Sequence, residues 1–574
     1  MIQSFVNCAI DYFPNSFATS GKSLMGLQAA NEGFLKAFLR YGDLPACIAH
    51  VRNDQEAKAF ALLVAEVCGE EQSVGHLTPN DQAGLARVGA LLHPFPGFGP
   101  LAWNRQFAGP ASYSLLGITH TTAAQSVMDS IGNLAVAPIR PWDAVICTSR
   151  AVRATYETVL ELWEDYLRDR LGAQRLPRPQ LPIIPLGVDT RLITPATQDS
   201  KQRWRKRLSI PDEAFVVLWV GRFNHAAKTH PIPTYLALEQ VAQQLDQPVV
   251  YLQAGWFPND ATRDGFINAA HRWAPTVKHL FVNGRDPEVR REIWHAADVF
   301  CSLSDNIQET FGLTPIEAMA AGLPVVVSDW NGYRDTVRNG IDGFLIPTAM
   351  PASGTGPDLA QGYCAQTVSD GHYWAVTAQT IAVDLHATIH ALTSLAQNPG
   401  LRLQQSQACR RHVESKYEWE VVIAQVVNLL HELSERRASA VESNPALGCP
   451  PTQPAPLRGD PYQIFAGYPS ATIQAATTLE LSRPWLVMPA ADQEEQLHAL
   501  REDCLHAFAN GWRLNHQETI ELLSLIAHCH GITVGDAAQE LKLAPGQPRH
   551  RLVMSTVSWL LKLGILHATH PSSG

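Results

Sequence analysis

The feature that most constrains this chain is an alternation of short apolar runs and helical segments that occurs twice. Residues 1–14 hold a short apolar strand, 15–23 (NSFATSGKS) read as a polar loop, and Leu24 to Arg40 carry apolar side chains at helical spacing. A strand over 46–51 follows, then a helix over 54–68, a Pro/Gly-rich segment over 93–100 and a strand over 113–119. A helix over 121–131, a strand over 143–148 and a long charged helix over 151–171 complete the first pattern. Strands separated by helices return in parallel, so the first pattern predicts a parallel α/β sheet. The Pro-rich segment 175–190 leaves it, and a second pattern opens at 215–220. It runs through helix 233–245, strand 248–253, helix 261–273, strand 279–283, helix 287–296 and strand 298–302. Two doubly wound, Rossmann-like domains predict a cleft between them, with ligands at the C-terminal ends of the strands.

Residues 305–348 follow the last of those strands and concentrate the chemistry. Two acids, Glu309 and Glu317, stand eight residues apart, and Leu323–Val327 reads as a buried strand. Thr314 is placed to cap a short helix, with Pro315 in its first turn, Glu317 three residues after the cap and Gly322 as its stop. Glu309 is then a free acid beside a helix N-terminus. The unpaired N–H groups from Gly312 through Leu313 and Thr314 favour an anion such as phosphate. Earlier, Gly221 and Arg222 directly follow the first strand of the second pattern, with Lys228 six residues beyond. A forked guanidinium and a point-charge ammonium at such a strand end suit a diphosphate. Read alone, the same cations are ordinary residues of a solvated loop.

The length of 574 residues implies more than one domain. An apolar share of 46% with 17% charged residues is that of a globular protein, and the net charge of −10 argues against general nucleic-acid binding and against a basic lipid-binding patch. Ten scattered cysteines without a CxxC pair read as reduced residues. With neither a signal peptide at the start nor an apolar run long enough to span a bilayer, a cytoplasmic location is expected.

The strand-Gly221-Arg222-x5-Lys228 segment, together with Glu309-x7-Glu317 inside ETFGLTPIEAMAAGLPVVVSD, resembles the retaining glycosyltransferases of family 4. PLGVDT (185–190), HAADVF (295–300), NGIDGFLIP (339–347) and the tail KYEWEVVIAQVVNLLHEL (416–433) extend the resemblance over residues 15–432. It implies the two-domain GT-B fold and a nucleoside-diphosphate sugar as donor substrate, with no metal. Domain limits follow: 1–195 on the acceptor side, 196–415 on the donor side, a helix over 416–442 crossing back to the first domain, and a Pro-rich linker over 443–456. The resemblance also implies roles. Arg222 and Lys228 hold the diphosphate, Gly312, Leu313 and Thr314 add the helix-end contribution, Glu309 contacts the sugar, and Glu317 the ribose hydroxyls. His120 matches the family histidine that reaches the sugar from the first domain, Gly21 stands in the altered glycine loop, and Arg285 lies in a loop of the kind that meets the base. A front-face path is expected, in which the leaving phosphate oxygen takes the acceptor's proton.

Other signals carry less. SFATSGKS approaches a P-loop, but Ser16 replaces its first glycine. His528-Cys529-His530 lacks a second ligand pair at finger spacing, so no metal is expected. Residues 457–574 read as a helical, winged-helix-like appendage with eight Lys/Arg against eleven Asp/Glu, which favours a protein partner or self-association over DNA. The expected activity is transfer of a hexose to an acceptor hydroxyl, the acceptor being a saccharide, a lipid-linked group or a protein. Two alternatives remain at this level. One is a sugar-nucleotide epimerase or hydrolase of the same fold, and the other a catalytically silent sugar-nucleotide-binding protein with a docking tail.

Overall fold

A computed structural model describes residues 7–17, 26–543 and 549–569. The chain separates into two compact units, Met1–Pro456 and Leu457–Gly574. Within the first unit, β1 (Ala9–Asp11), β2 (Cys47–His50), β3 (Val74–Leu77), β4 (Ala90–His93), β5 (Ser114–Ile118) and β6 (Ala144–Ile146) form one parallel sheet. Their order is β3-β2-β1-β4-β5-β6. A second parallel sheet contains β7 (Phe215–Arg222), β8 (Val249–Trp256), β9 (Lys278–Asn283), β10 (Val299–Ser302), β11 (Val325–Ser328) and β12 (Gly343–Ile346). It repeats the same winding, β9-β8-β7-β10-β11-β12. The central strands read Val, Ile, Leu and Ala without polar alternation because helices cover both faces. This is the GT-B architecture of two Rossmann-like domains. Each sheet has its switch point where the winding reverses, between β1 and β4 in one and between β7 and β10 in the other.

Helix α1 (Gly26–Tyr41) covers the first sheet, and α2 (Arg150–Leu171) follows β6, capped by the Ser149 side chain on the Val152 N–H. Short α3 (Leu313–Ala320) lies between β10 and β11, and α4 (Trp419–Ser443) ends the unit. Helix α4 returns to the first domain. Trp419 lies against Gly33 of α1 and Gly187 of the hinge, where an added Cβ would stand 3.2 and 2.6 Å from its ring. Glu418 accepts the Thr190 N–H at 3.1 Å, so hinge and returning helix are tied at the same point.

Three expectations shift. The helix expected over 121–131 spans Gln125–Leu134, because the preceding residues are engaged elsewhere: the Ala123 carbonyl accepts the Trp374 indole N–H at 3.0 Å. The polar loop over 15–23 begins with a helical turn, Pro14–Phe17, and its remainder lies outside the described residues. The helix expected over 287–296 is α-helical only to Glu292 and tightens into a 3₁₀ turn at Ile293–Ala296.

The unit Leu457–Gly574 has its own core, built from Leu479, Trp485, Leu522, Ile526, Val557 and Leu560. Helices His516–Cys529, Val534–Glu540 and His550–Lys562 pack with three short antiparallel strands, Thr478–Leu481, Ile532–Thr533 and Leu566–Thr569. Asn515 and Glu518 form a reciprocal capping box at the first of these helices.

The first domain also encloses an ion pair. Arg105 and Asp143 have no exposed side-chain surface and bond at 2.5 and 2.8 Å, while Asp143 also accepts the Leu115 and Arg140 N–H groups at 3.0 and 2.8 Å. Removing one partner strands a buried charge, which typically costs about 3–5 kcal/mol. Asp143→Ala should therefore lower the thermal midpoint sharply, and a paired Arg105→Met/Asp143→Leu replacement should recover part of the loss in the same melting experiment.

Candidate functional site

The site is built on the switch point of the second sheet. Strand β7 ends in Gly221 and Arg222, paired with Gly255 and Trp256 of β8. A Cβ on Gly255 would stand 1.9 Å from the Gly221 carbonyl oxygen, so the strands approach closely here only because both residues lack side chains. Arg222 has no carboxylate partner among the described residues. Its guanidinium lies 6.0 Å from the Trp256 ring centre, and burial lowers its pKa. Arg285, in the loop after β9, lies over the same ring at 4.4 Å. Trp256 is half-buried, with the guanidinium groups of Arg222 and Arg285 near its ring.

The loop after Arg222 is shaped by Asn224, whose side-chain oxygen accepts the Ala226 and Ala227 N–H groups at 2.9 and 3.0 Å. This turn delivers Lys228, and the Lys228 Nζ lies 3.1 Å from Glu309 Oε2. Glu309 is therefore not the free acid expected from the sequence. The expectation considered only chain neighbours, whereas the lysine arrives from 81 residues earlier. Asn306, fully buried, holds the two together. Its amide donates to the Lys228 carbonyl, and its Oδ1 accepts the Gln308 and Glu309 N–H groups, each at 3.1 Å. The Trp330 indole donates to the Asn306 carbonyl at 2.8 Å, and the Asn331 amide to the Glu309 carbonyl. The preceding Asp305 accepts the His230 N–H at 3.2 and 3.3 Å, and burial raises its carboxyl to about 7.

Helix α3 begins differently from the sequence expectation. Gly312, not Thr314, is its N-cap, at φ +85°, and no side chain caps it. Glu317 is consequently the fifth helical residue and cannot complete a capping box. The physical reason lies beneath the cap: a Cβ at Gly312 would stand 2.0 Å from the Tyr333 ring, so this glycine must form the tight, left-handed turn there. The open N–H groups at Leu313 and Thr314 have no carbonyl one turn back. Thr314, Gly221, Lys228, Thr229, Glu309 and Tyr333 line one cavity. Glu317 is partly buried outside that lining, and desolvation, opposed by Arg290, raises its carboxyl to about 7.

His120 enters from the first domain. Its Nε2 pairs with the Pro94 carbonyl at 3.0 Å, and its own carbonyl accepts the Thr310 hydroxyl at 2.9 Å, next to Glu309. Burial, opposed by that carbonyl bond, lowers its pKa to about 4. It is then neutral at pH 7, with the proton on Nε2 and Nδ1 left as an acceptor. Gly21 lies outside the described residues. Lys228, Glu309, Gly221 and Thr314 share that cavity; Arg222 follows Gly221 with its guanidinium near Trp256, His120 bonds to the residue after Glu309, and Glu317 stands apart on α3. Asn306, Asn331 and Tyr333 escaped the sequence reading. Only Asn306 left a signal, an asparagine two and three residues before N–H groups that its side chain can bind.

Residues 200–353 match the family described as "Glycosyl transferases group 1". The chain is 29% identical over 174 residues to the D-inositol 3-phosphate glycosyltransferase of Corynebacterium efficiens, a stretch covering 30% of this chain and 40% of that protein. It is 31% identical over 194 residues to the enzyme of that name from Geodermatophilus obscurus, covering 32% and 40%. With the one from Corynebacterium urealyticum it shares 26% over 256 residues, covering 44% and 51%. The chain thus spans about half or less of the length of these curated relatives. Among solved structures, Anabaena HepE in complex with UDP and glucose superposes with a TM-score of 0.47 at 14% identity, covering 75% of this chain and 100% of that one.

The Asp305 carboxyl offers a test of the loop. Raised from an ordinary 3.8 to about 7, it binds a proton in the folded state that the unfolded chain has already released. Its contribution to stability is complete below the unfolded pKa and is lost as pH rises through about 7. Asp305→Asn keeps an acceptor for the His230 N–H and removes the ionisation. Its melting temperature relative to wild type should climb from pH 5 to pH 8, by the equivalent of roughly 2–4 kcal/mol. A pH-independent difference would refute the assignment.

Proposed function

We propose that this protein is a retaining, metal-independent glycosyltransferase that moves a hexose from a nucleoside-diphosphate sugar to an acceptor hydroxyl. The observation that carries the reading is that Lys228, Glu309, Gly221 and Thr314 at the start of α3 line one cavity at the switch point, with Arg222 on the residue after Gly221. The family match over 200–353 covers the same segment, and the relatives' name supplies the reaction class. Among the described residues, Arg222 is a cation without a carboxylate and Lys228 pairs only with Glu309. A diphosphate laid against them, with its oxygens toward the Leu313 and Thr314 N–H groups, satisfies both cations.

The chemistry then follows from charge. As the bond between the sugar's anomeric carbon and the phosphate oxygen breaks, negative charge grows on the leaving diphosphate and positive charge on the sugar ring. Arg222, Lys228 and the α3 N-terminus are preorganised for the first, and Glu309 for the second. The acceptor oxygen forms its bond on the face the phosphate leaves, and its proton passes to the leaving phosphate oxygen. His120 offers Nδ1 as an acceptor for a sugar hydroxyl, while Glu317 and Arg285 are assigned to the nucleoside. This division needs no separate base.

A thermal-shift panel of UDP, GDP, ADP and their glucose derivatives identifies the donor, since a ligand of the native state raises the melting temperature by mass action. With that donor, Lys228→Ala should lower kcat by about 100- to 1000-fold in an assay of nucleoside-diphosphate release, with the fold intact by circular dichroism. Glu309→Gln should leave diphosphate binding in place while turnover falls by at least about 10-fold. Full turnover in folded Lys228→Ala protein would sink the proposal.

A further inference from the structure

The first sheet has a switch point of its own, and it is occupied by polar residues that the donor site does not use. Asp11 ends β1 and His93 ends β4, the two strands on either side of the reversal. The buried Asp11 carboxylate accepts His93 Nδ1 at 2.7 Å, His50 Nδ1 at 2.8 Å and Arg52 Nη2 at 2.6 Å. These donors overcome the burial that opposes ionisation and hold its pKa well below the usual carboxylate range. An ionised carboxylate can only accept, so both imidazoles carry their protons on Nδ1. The Nε2 of His50 is sealed and unpartnered. The Nε2 of His93 also has no partner among the described residues, but the side chain keeps 13% of its surface open to solvent.

His93 is flanked by two half-exposed rings, Phe13 with centroids 6.1 Å away and Phe95 at 5.5 Å. Arg52 lies over Phe13 at 3.4 Å, and its charge is already answered by Asp11. The next residue, Pro94, is bonded to His120, and His120 to Thr310 beside Glu309. The strand end carrying His93 is therefore linked by two hydrogen bonds to the residue next to the donor-side acid.

Resting on the glycosyl-transfer reading, we propose that His93 is the contact that orients the acceptor: its Nε2 hydrogen-bonds a hydroxyl of a polyol or sugar, whose C–H face packs between Phe13 and Phe95. The chemistry selects this class. An imidazole nitrogen without a partner among the described residues, flanked by aromatic rings, suits a ring with apolar C–H edges and hydroxyl groups. Arg52, the cation beside Phe13 among the described residues, is paired with Asp11. Asp11 is the positioning residue: it holds Nδ1 and leaves Nε2 to face the ligand.

Saturation-transfer NMR on the full chain, with the nucleoside diphosphate of the largest thermal shift bound, tests this with glycerol, myo-inositol, D-inositol 3-phosphate and glucose as probes. In the wild type, at least one polyol should show transfer from aromatic protons to its ring C–H protons. His93→Ala should weaken that binding by about 10-fold or more, His93→Gln should retain part of it through its side-chain carbonyl, and neither should alter the nucleotide's thermal shift. Unchanged polyol binding in His93→Ala, or no polyol signal from a wild type that binds nucleotide, overturns the inference and leaves the donor-side reading intact. A wild type that binds no nucleotide at all overturns the glycosyl-transfer reading, and with it this one.

Discussion

The hydrogen bonds of one buried side chain, Asn306, decide where the charges of the donor side stand. Its amide holds the carbonyl of Lys228 while its oxygen holds the N–H of Glu309, so the cation and the acid are brought together through their backbones. The ion pair itself is partly solvated and worth little by the usual measure of such pairs. Its position is the functional quantity. A lysine held by its own main chain can turn from a carboxylate to a phosphate without any loop having to move.

The same loop ties the two domains. Ser149, the cap of α2, donates to the Thr310 carbonyl at 2.8 Å, and Arg150 pairs with Asp335 at 2.5 Å. Asp370 accepts the Gln125 N–H at 3.1 Å, and the Trp374 indole reaches the Ala123 carbonyl. These contacts bring the segments after β5 and β6 against the second domain. Preorganisation of this kind converts a binding cleft into a reacting one, because the groups do not have to be assembled at the transition state. It also accounts for the late start of the helix after β5: the residues before it are spent on the interface.

Both sheets use their switch points, but with opposite chemistry. The second presents Arg222, which has no carboxylate partner among the described residues, a lysine paired with one acid, and open N–H groups, fit for an anion. The first gathers its charges around Asp11 and leaves the His93 Nε2 beside two aromatic rings.

Much of the fold was legible because its signals are local. Runs such as Phe215–Val220 and Leu323–Val327 are apolar on both faces, and that pattern is sufficient for a covered parallel strand. The Gly-Arg…Lys spacing and the paired acids were legible as well, since residue type and order carry them. Side-chain partners were not. The cap of α3 moved to Gly312 because the Tyr333 ring occupies the space a Cβ would need, and Tyr333 lies 21 residues on. Glu309 lost its freedom to a lysine from another loop, and the assembly around Asp11 joins residues from β1, β2 and β4 that no local pattern links. By itself the sequence determined the two parallel sheets and the residue types offered at their edges, because hydrophobic periodicity and backbone propensity act over a few residues. Which of those residues share a proton, an ion pair or a wall was decided only by the tertiary structure, because those forces act over a few ångströms between groups far apart in the chain.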